Sequence, residues 1–139
     1  MQEALYKPMI SHYKDITPFE IGEGVQFHEL LTKGMGPKTI IAGLATFKPN
    51  AGLACHIHNV EESVTILKGN AFCDVEGERT FMQPYDHSFV PAGIPHRLEN
   101  ASATEELVIL WVYSQIDETL MPVDVERIYV DSDRCMLPR

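Results

Sequence analysis

His56-Ile57-His58-Asn59-Val60-Glu61-Glu62 is the stretch that decides how this chain is read. Side chains alternate faces along a β-strand, so His56 and His58 point the same way. Glu62 lies at an even offset and returns to that face if the backbone stays extended through the short bend. Two residue rises put the imidazoles roughly 6–7 Å apart along the strand. Two imidazoles and a carboxylate meeting on one face begin a transition-metal site, and nitrogen and oxygen donors suit one divalent Fe, Mn, Ni, Co or Zn ion. Cys55 and Glu61 fall on the opposite parity and are not counted as ligands. The H-x-H spacing alone fits a structural histidine pair as well as a metal, and the glutamate tips it towards the metal.

Outward from this stretch the chain reads as short strands. Ser63 to Leu67 alternates, with Val64 and Ile66 on the parity of Glu62. Lys68-Gly69-Asn70 is a hairpin turn, and Ala71 to Val75 and Arg79 to Met82 flank a second turn at Glu76-Gly77. Pro84-Tyr85-Asp86 turns into His87 to Val90. On the N-terminal side, Val25 to Leu31 and Thr39 to Phe47 are separated by the turn cluster Gly34 to Pro37. Leu107 to Tyr113 is apolar throughout, as in a strand covered on both faces. The best helical candidate, Asp117 to Met121, is very short. Many short strands, no internal repeat and no linker predict one all-β domain, a sandwich or barrel. Residues 1–22, interrupted by Pro8 and Pro18, form an N-terminal arm with at most one edge strand.

A chain of 139 residues can bury a core without disulfides or a structural metal. Its formal net charge of −9 argues against nucleic acid, which calls for stripes of Lys and Arg. No basic amphipathic segment suits a membrane surface, and no apolar run is long enough to span one. A small-molecule substrate or another protein chain is left as partner. The start of the chain has no basic head followed by an apolar stretch, so no secretory signal is expected. Cys55, Cys73 and Cys135 are odd in number and unpaired in spacing, which predicts free thiols in a reducing cytoplasm.

A second cluster lies further along: Pro91-Ala92-Gly93-Ile94-Pro95-His96-Arg97-Leu98-Glu99-Asn100. A rigid turn of Pro, Gly and Pro delivers His96 to the start of a strand, where it can meet the first three ligands. Together the clusters resemble the paired motifs of the cupin superfamily. His56, His58, Glu62 and Gly69 occupy the first motif with its spacing; Pro91, Gly93, His96 and Asn100 occupy the second. The resemblance covers about residues 38–115, leaving 116–139 as a C-terminal tail. The leading glycine of each motif is replaced, by Asn50 and by Tyr85. Asn50 is expected to keep a left-handed turn. Tyr85 is expected at the third position of a type I turn, where φ stays negative.

What the resemblance implies is a single small antiparallel β-barrel of jelly-roll (cupin) type. One divalent transition metal would be held inside it by His56, His58, Glu62 and His96. It also implies a homodimer paired through the sheets, to which the arm can lend an exchanged strand. The tail, with Ile128 and Val130, is expected to pack on the barrel or on a partner.

For function, the leading expectation is an Fe(II)-type oxygenase or dioxygenase of an apolar or aromatic, oxygen-bearing substrate. A non-redox isomerase, lyase or cyclase is the alternative, followed by a non-catalytic small-molecule binder. The inner wall, with Val64, Ile66 and Leu98 on the ligand parity, reads as apolar. An anionic sugar phosphate would need an inward Arg or Lys; Arg97 has the wrong parity, and Lys48 and Arg79 have no assigned place. His87, Trp111 and Tyr113 are read as core or surface residues ahead of a pocket role.

Overall fold

The computed structural model describes residues 7–136. Eleven strands are present among them: β1 (Phe19–Glu20), β2 (Val25–Leu31), β3 (Ile40–Phe47), β4 (His56–His58), β5 (Glu62–Lys68), β6 (Ala71–Val75), β7 (Glu78–Met82), β8 (His87–Val90), β9 (His96–Asn100), β10 (Leu107–Ser114) and β11 (Arg127–Tyr129). They form two antiparallel sheets, one of six strands in the order β1-β2-β3-β10-β5-β8 and one of five in the order β11-β4-β9-β6-β7. The sheets pack face to face as a jelly roll, without hydrogen bonding into a closed cylinder. No helix among the described residues is long and apolar enough to cross a membrane.

The period-two patterns explain the packing. In β10, Leu107, Ile109, Trp111 and Tyr113 are buried between the sheets, while Val108, Leu110 and Val112 face outward and are half-buried. β10 lies between β3 and β5. The core joins Val25, Phe27, Ala45, Phe47, Val64, Ile66 and Leu98 to these inward residues. Gly69 is required at its hairpin: its φ is +80°, and an added Cβ would lie 2.3 Å from the Glu106 carbonyl oxygen.

Asn100 shows why the second motif ends in an amide. Its Nδ2 donates to the carbonyls of Phe47, Lys48 and Glu105, and its Oδ1 accepts from the Ser102 N–H. One buried side chain thereby ties three chain segments together.

Several expectations are corrected. Tyr85 has φ +75°, and Asp86 N–H donates to the Gln83 carbonyl, so Pro84-Tyr85 form a turn with a left-handed third position, as in type II. A strong Tyr85 N–H bond to the Ile66 carbonyl, at 2.7 Å, holds that geometry. Asn50, at φ +64°, keeps the left-handed turn expected of it. Asp117 to Met121 is a turn, not a helix; the Asp117 carboxylate accepts from the N–H groups of Thr119 and Met121 and so competes with helical bonding.

The cysteines depart further. Cys55 and Cys135, 80 residues apart in sequence, form a disulfide, and only Cys73 is free. The cause is the return of the tail: β11 pairs antiparallel with β4, Val130 N–H donates to the Cys55 carbonyl, and a turn over Ser132–Arg134 sets Cys135 against Cys55. Cys55 and Cys135 are therefore not the free thiols expected of a reducing cytoplasm. In the tail, Ile128 points outward and is exposed, while Val123 and Val125 pack on the core. At the other end, β1 pairs with β2 of its own chain; residues 1–6 of the arm and 137–139 of the tail lie outside the described residues.

Candidate metal centre

Strand register brings the four predicted ligands together. His56 of β4 is the direct partner of His96 of β9, so both imidazoles leave the same face of the five-stranded sheet. Glu62 opens β5 in the opposing sheet and points back at them. All four residues are buried, and one ligand atom from each lies within 4.8 Å of all the others. Glu61, next in sequence, is exposed, and Cys55 turns away into its disulfide, as parity requires.

The hydrogen bonds fix the direction of the imidazoles. Each Nδ1 meets a backbone carbonyl: His56 that of Ala54 at 2.7 Å, His58 that of Glu126 at 2.9 Å, and His96 that of Ile94 at 2.8 Å. A carbonyl can only accept, so Nδ1 carries the proton in each ring and the Nε2 lone pair is left for a ligand. Nε2 of His58 and of His96 face the Glu62 oxygens at 3.4 and 3.2 Å, yet both are buried without a hydrogen-bond partner. Such orphaned lone pairs are costly unless something binds them. Three Nε2 atoms and a carboxylate converging in a buried space fit a divalent transition ion.

The electrostatics agree. Burial, helped by neighbouring His96, pushes the His56 pKa down to about 3, which keeps that ring neutral. Burial by itself would raise the Glu62 pKa, but the facing imidazoles of His58 and His96 hold it well below the usual carboxylate range. The cluster therefore presents an ionised carboxylate to whatever binds.

The wall around it is apolar but not wholly so. Phe27, Leu53, Val64, Leu98, Ile109, Trp111 and Tyr113 enclose the site with His56, Glu62 and His96. The free space is small, about 20 Å³ for the centre of a water-sized sphere, of the order of one ion or water. Trp111 and Tyr113 are thus pocket residues, against the expectation. The missing anchor was register: Tyr113 pairs directly with Glu62 and Trp111 with Val64, which fixes both on the inner face. Gly43 pairs with Trp111 on the other side, and an added Cβ there would lie 2.2 Å from the indole. His87 is exposed and bonds Ser63 on the outer face.

Sequence reasoning missed Arg127. It is the direct cross-strand partner of His58, so it shares the ligands' face, and its Nη2 reaches the Tyr113 hydroxyl at 3.4 Å. The search for an inward cation covered Lys48, Arg79 and Arg97. Lys48 is exposed, and Arg79 and Arg97 bond Asp74 on the outer face. The signal available was the alternation Arg127-Ile128-Tyr129, which lacks meaning until the strand is paired.

The cupin domain family matches residues 43–113, and the chain belongs to the cupin family. No curated protein matches it. Among solved structures it is similar to an RmlC-like cupin from Shewanella frigidimarina, at 18% identity and a TM-score of 0.69, covering 81% of this chain and 96% of that one. The polyketide cyclase RemF from Streptomyces resistomycificus superposes at 16% identity and TM-score 0.72, covering 92% and 90%. A predicted oxalate decarboxylase from Thermotoga maritima does so at 24% identity and TM-score 0.69, covering 76% and 98%. At these identities the likeness establishes the fold.

Proposed function

We propose that the chain is a metal-dependent enzyme acting on a small, oxygen-bearing organic molecule, with His56, His58, Glu62 and His96 as the metal ligands. The observation that carries this is the pair of buried, partnerless Nε2 atoms beside an ionised Glu62. A bound divalent ion supplies Lewis acidity or, as Fe(II), a centre for dioxygen chemistry. The three backbone carbonyls hold the imidazoles in place. Phe27, Leu53, Val64, Leu98 and Ile109 exclude water and strengthen every charge interaction inside. Burial, with Glu62 beside it, raises the Tyr113 pKa above the usual phenol value, so the hydroxyl keeps its proton and can offer a substrate oxygen a hydrogen bond.

The first reading is an oxygenase, supported by the dry apolar wall. The second is a non-redox lyase, isomerase or cyclase, favoured by the likeness to a polyketide cyclase. Elemental analysis of tag-free protein tests the metal; absence of any transition ion overturns the proposal. Dioxygen uptake by Fe(II)-loaded protein over a diketone, catechol and flavonol panel supports the first reading. Turnover unchanged without air and retained with zinc or manganese selects the second.

A homodimer belongs to the same proposal. Ile40 and Phe89 are exposed and Leu110 and Val112 half-buried on the outer side of the six-stranded sheet, an apolar face that a second copy can cover. Light scattering should give twice the chain mass; a mass near 15.7 kDa overturns the pairing.

A further inference from the structure

We infer that the Cys55–Cys135 disulfide is a redox latch on the four-ligand centre. Oxidised, it fastens β11 over the ligands; reduced by a dithiol, it lets β11 lift and opens the centre to metal exchange and to molecules larger than one ion. This rests on the proposed metal site only for what is exchanged.

The centre is shut as folded. Its free space of about 20 Å³ is room for one ion and nothing larger. The element that closes its edge is β11, the outermost strand of the five-stranded sheet, with Arg127 opposite His58 and Tyr129 opposite His56. Arg127 reaches across to the other sheet, its Nη2 3.4 Å from the Tyr113 hydroxyl and its guanidinium carbon 5.6 Å from the centre of the Phe27 ring. Tyr113 and Phe27 line the free space, so Arg127 covers them from outside. The same segment also orients a ligand. His56 and His96 donate to carbonyls just ahead of their own strands, whereas His58 Nδ1 donates to the carbonyl of Glu126. Lifting β11 therefore uncovers the site and takes away the bond that positions His58.

β11 itself is weakly held. It has three residues, of which Ile128 and Tyr129 are exposed and Arg127 is half-buried. Arg127 Nε is buried without a hydrogen-bond partner, a cost that water removes on opening. A short edge strand with so little buried apolar surface belongs to the part of a fold that opens most readily. Its near end is gripped by Asn59, whose Nδ2 donates to the Asp124 carbonyl and whose Oδ1 accepts from the Glu126 N–H, with Val123 and Val125 packed on the core. The far end is held by the Val130 N–H on the Cys55 carbonyl, the Gly77 N–H on the Cys135 carbonyl, the Arg97–Met136 contact and the disulfide. Asn59 thus marks the hinge, and the covalent latch closes on the residue next to His56.

Both half-cystines are buried, but the turn over Ser132–Arg134 that leads into Cys135 is exposed at every residue. Fraying of that turn bares Cys135 Sγ. A dithiol's thiolate attacks it, the Cys55–Cys135 bond breaks, and Cys55 leaves and takes up a proton. The second thiol then displaces Cys135, which is protonated in turn. Two electrons pass from the dithiol, which departs as a cyclic disulfide.

Trp111 is the only tryptophan in the chain and lines the free space, so its emission reports access with or without metal. Oxidised wild type, dithiothreitol-reduced wild type freed of reductant without air, and Cys135→Ser are compared in three ways: acrylamide quenching of Trp111, loss of bound cobalt to EDTA, and circular dichroism. The reduced protein and Cys135→Ser should quench several-fold more readily and release cobalt about tenfold faster, with the β-sheet signal kept. Reoxidation should restore the wild type and leave Cys135→Ser unchanged. Equal quenching in oxidised and reduced folded wild type overturns the latch, even if Cys135→Ser fails to fold. Loss of the whole sheet signal on reduction also overturns it, since the bond would then brace the entire fold. Redox-dependent quenching in protein that binds no cobalt keeps the latch and sinks the metal reading; tightly held cobalt with redox-independent quenching does the reverse.

Discussion

The Gly93 N–H donates to the His58 carbonyl at 2.8 Å, so the turn that launches His96 is fastened to the strand that carries two other ligands. The two motifs are one hydrogen-bonded unit. Spacing within each sets the faces, and this bond sets one motif against the other.

The two motif glycines should then respond differently to a methyl group. Gly93 has φ +79° and open space where a Cβ would go, so Gly93→Ala should cost only the left-handed backbone penalty, about 1 kcal/mol. Gly69→Ala adds to that strain a 2.3 Å approach to the Glu106 carbonyl oxygen, and should cost several times as much. Urea denaturation of both variants measures the difference; equal losses would show that the hairpin relaxes freely.

His96→Ala and His58→Ala should each strip the metal while leaving the β-structure in place, because the core lies chiefly in the apolar faces of β3, β5 and β10. Circular dichroism should report a folded sheet, and elemental analysis less than a tenth of the wild-type occupancy. A His96→Ala protein with full metal would mean that the four-ligand assignment is wrong.

How much of this was legible beforehand follows from the range of the interactions. His56, His58 and Glu62 obey a local rule, the period of two, and His96 follows from a turn whose residues are contiguous. Trp111 and Tyr113 sit in an all-apolar run, where parity has no polar partner to calibrate it until Tyr113 is paired with Glu62. Arg127 and Cys135 depend on β11 finding β4 from the far end of the chain, which a three-residue strand does not announce. His28 is similar: it lies on the outer face yet is buried, because Tyr13 of the arm stacks on it at 4.3 Å. Tyr85 was misjudged because its turn is set by a bond to Ile66, outside the turn itself.

Metal affinity should fall with acidity, and His96 is one ligand whose proton opposes the ion. Burial pulls the His96 pKa down, but Glu62 outweighs it and raises the value above the ordinary 6.5. Below that raised value a proton occupies the site where an ion binds, and affinity should drop. His56, held near 3, does not compete for protons over this range. Cobalt titrations followed by absorbance from pH 5 to about pH 8 should therefore show affinity falling as acidity rises. Glu62→Gln should move the break to lower pH as well as weaken binding. Affinity independent of pH would contradict this account.

The outer face carries the acid sensitivity of the fold. Asp74 is only 1% exposed, and accepts from Arg79 Nε at 2.8 Å, Arg79 Nη2 at 3.0 Å and Arg97 Nε at 2.8 Å. Burial alone would raise its pKa, but the two guanidiniums bring it below the usual aspartate value. A carboxylate whose pKa is lower folded than unfolded contributes stability that is complete above the unfolded value, about 3.9, and is lost as pH falls through the folded one. Urea stability should thus be flat for this group near neutrality and decline below about pH 4. Asp74→Asn should remove that part of the decline and cost roughly 3 kcal/mol at pH 7, since Arg97 is left buried against an amide. Arg79 keeps a second partner in Glu99 at 2.9 Å, so Arg97→Gln should cost more than Arg79→Gln if burial governs the loss. The reverse order would assign the main contribution to the two-pronged Arg79 contact.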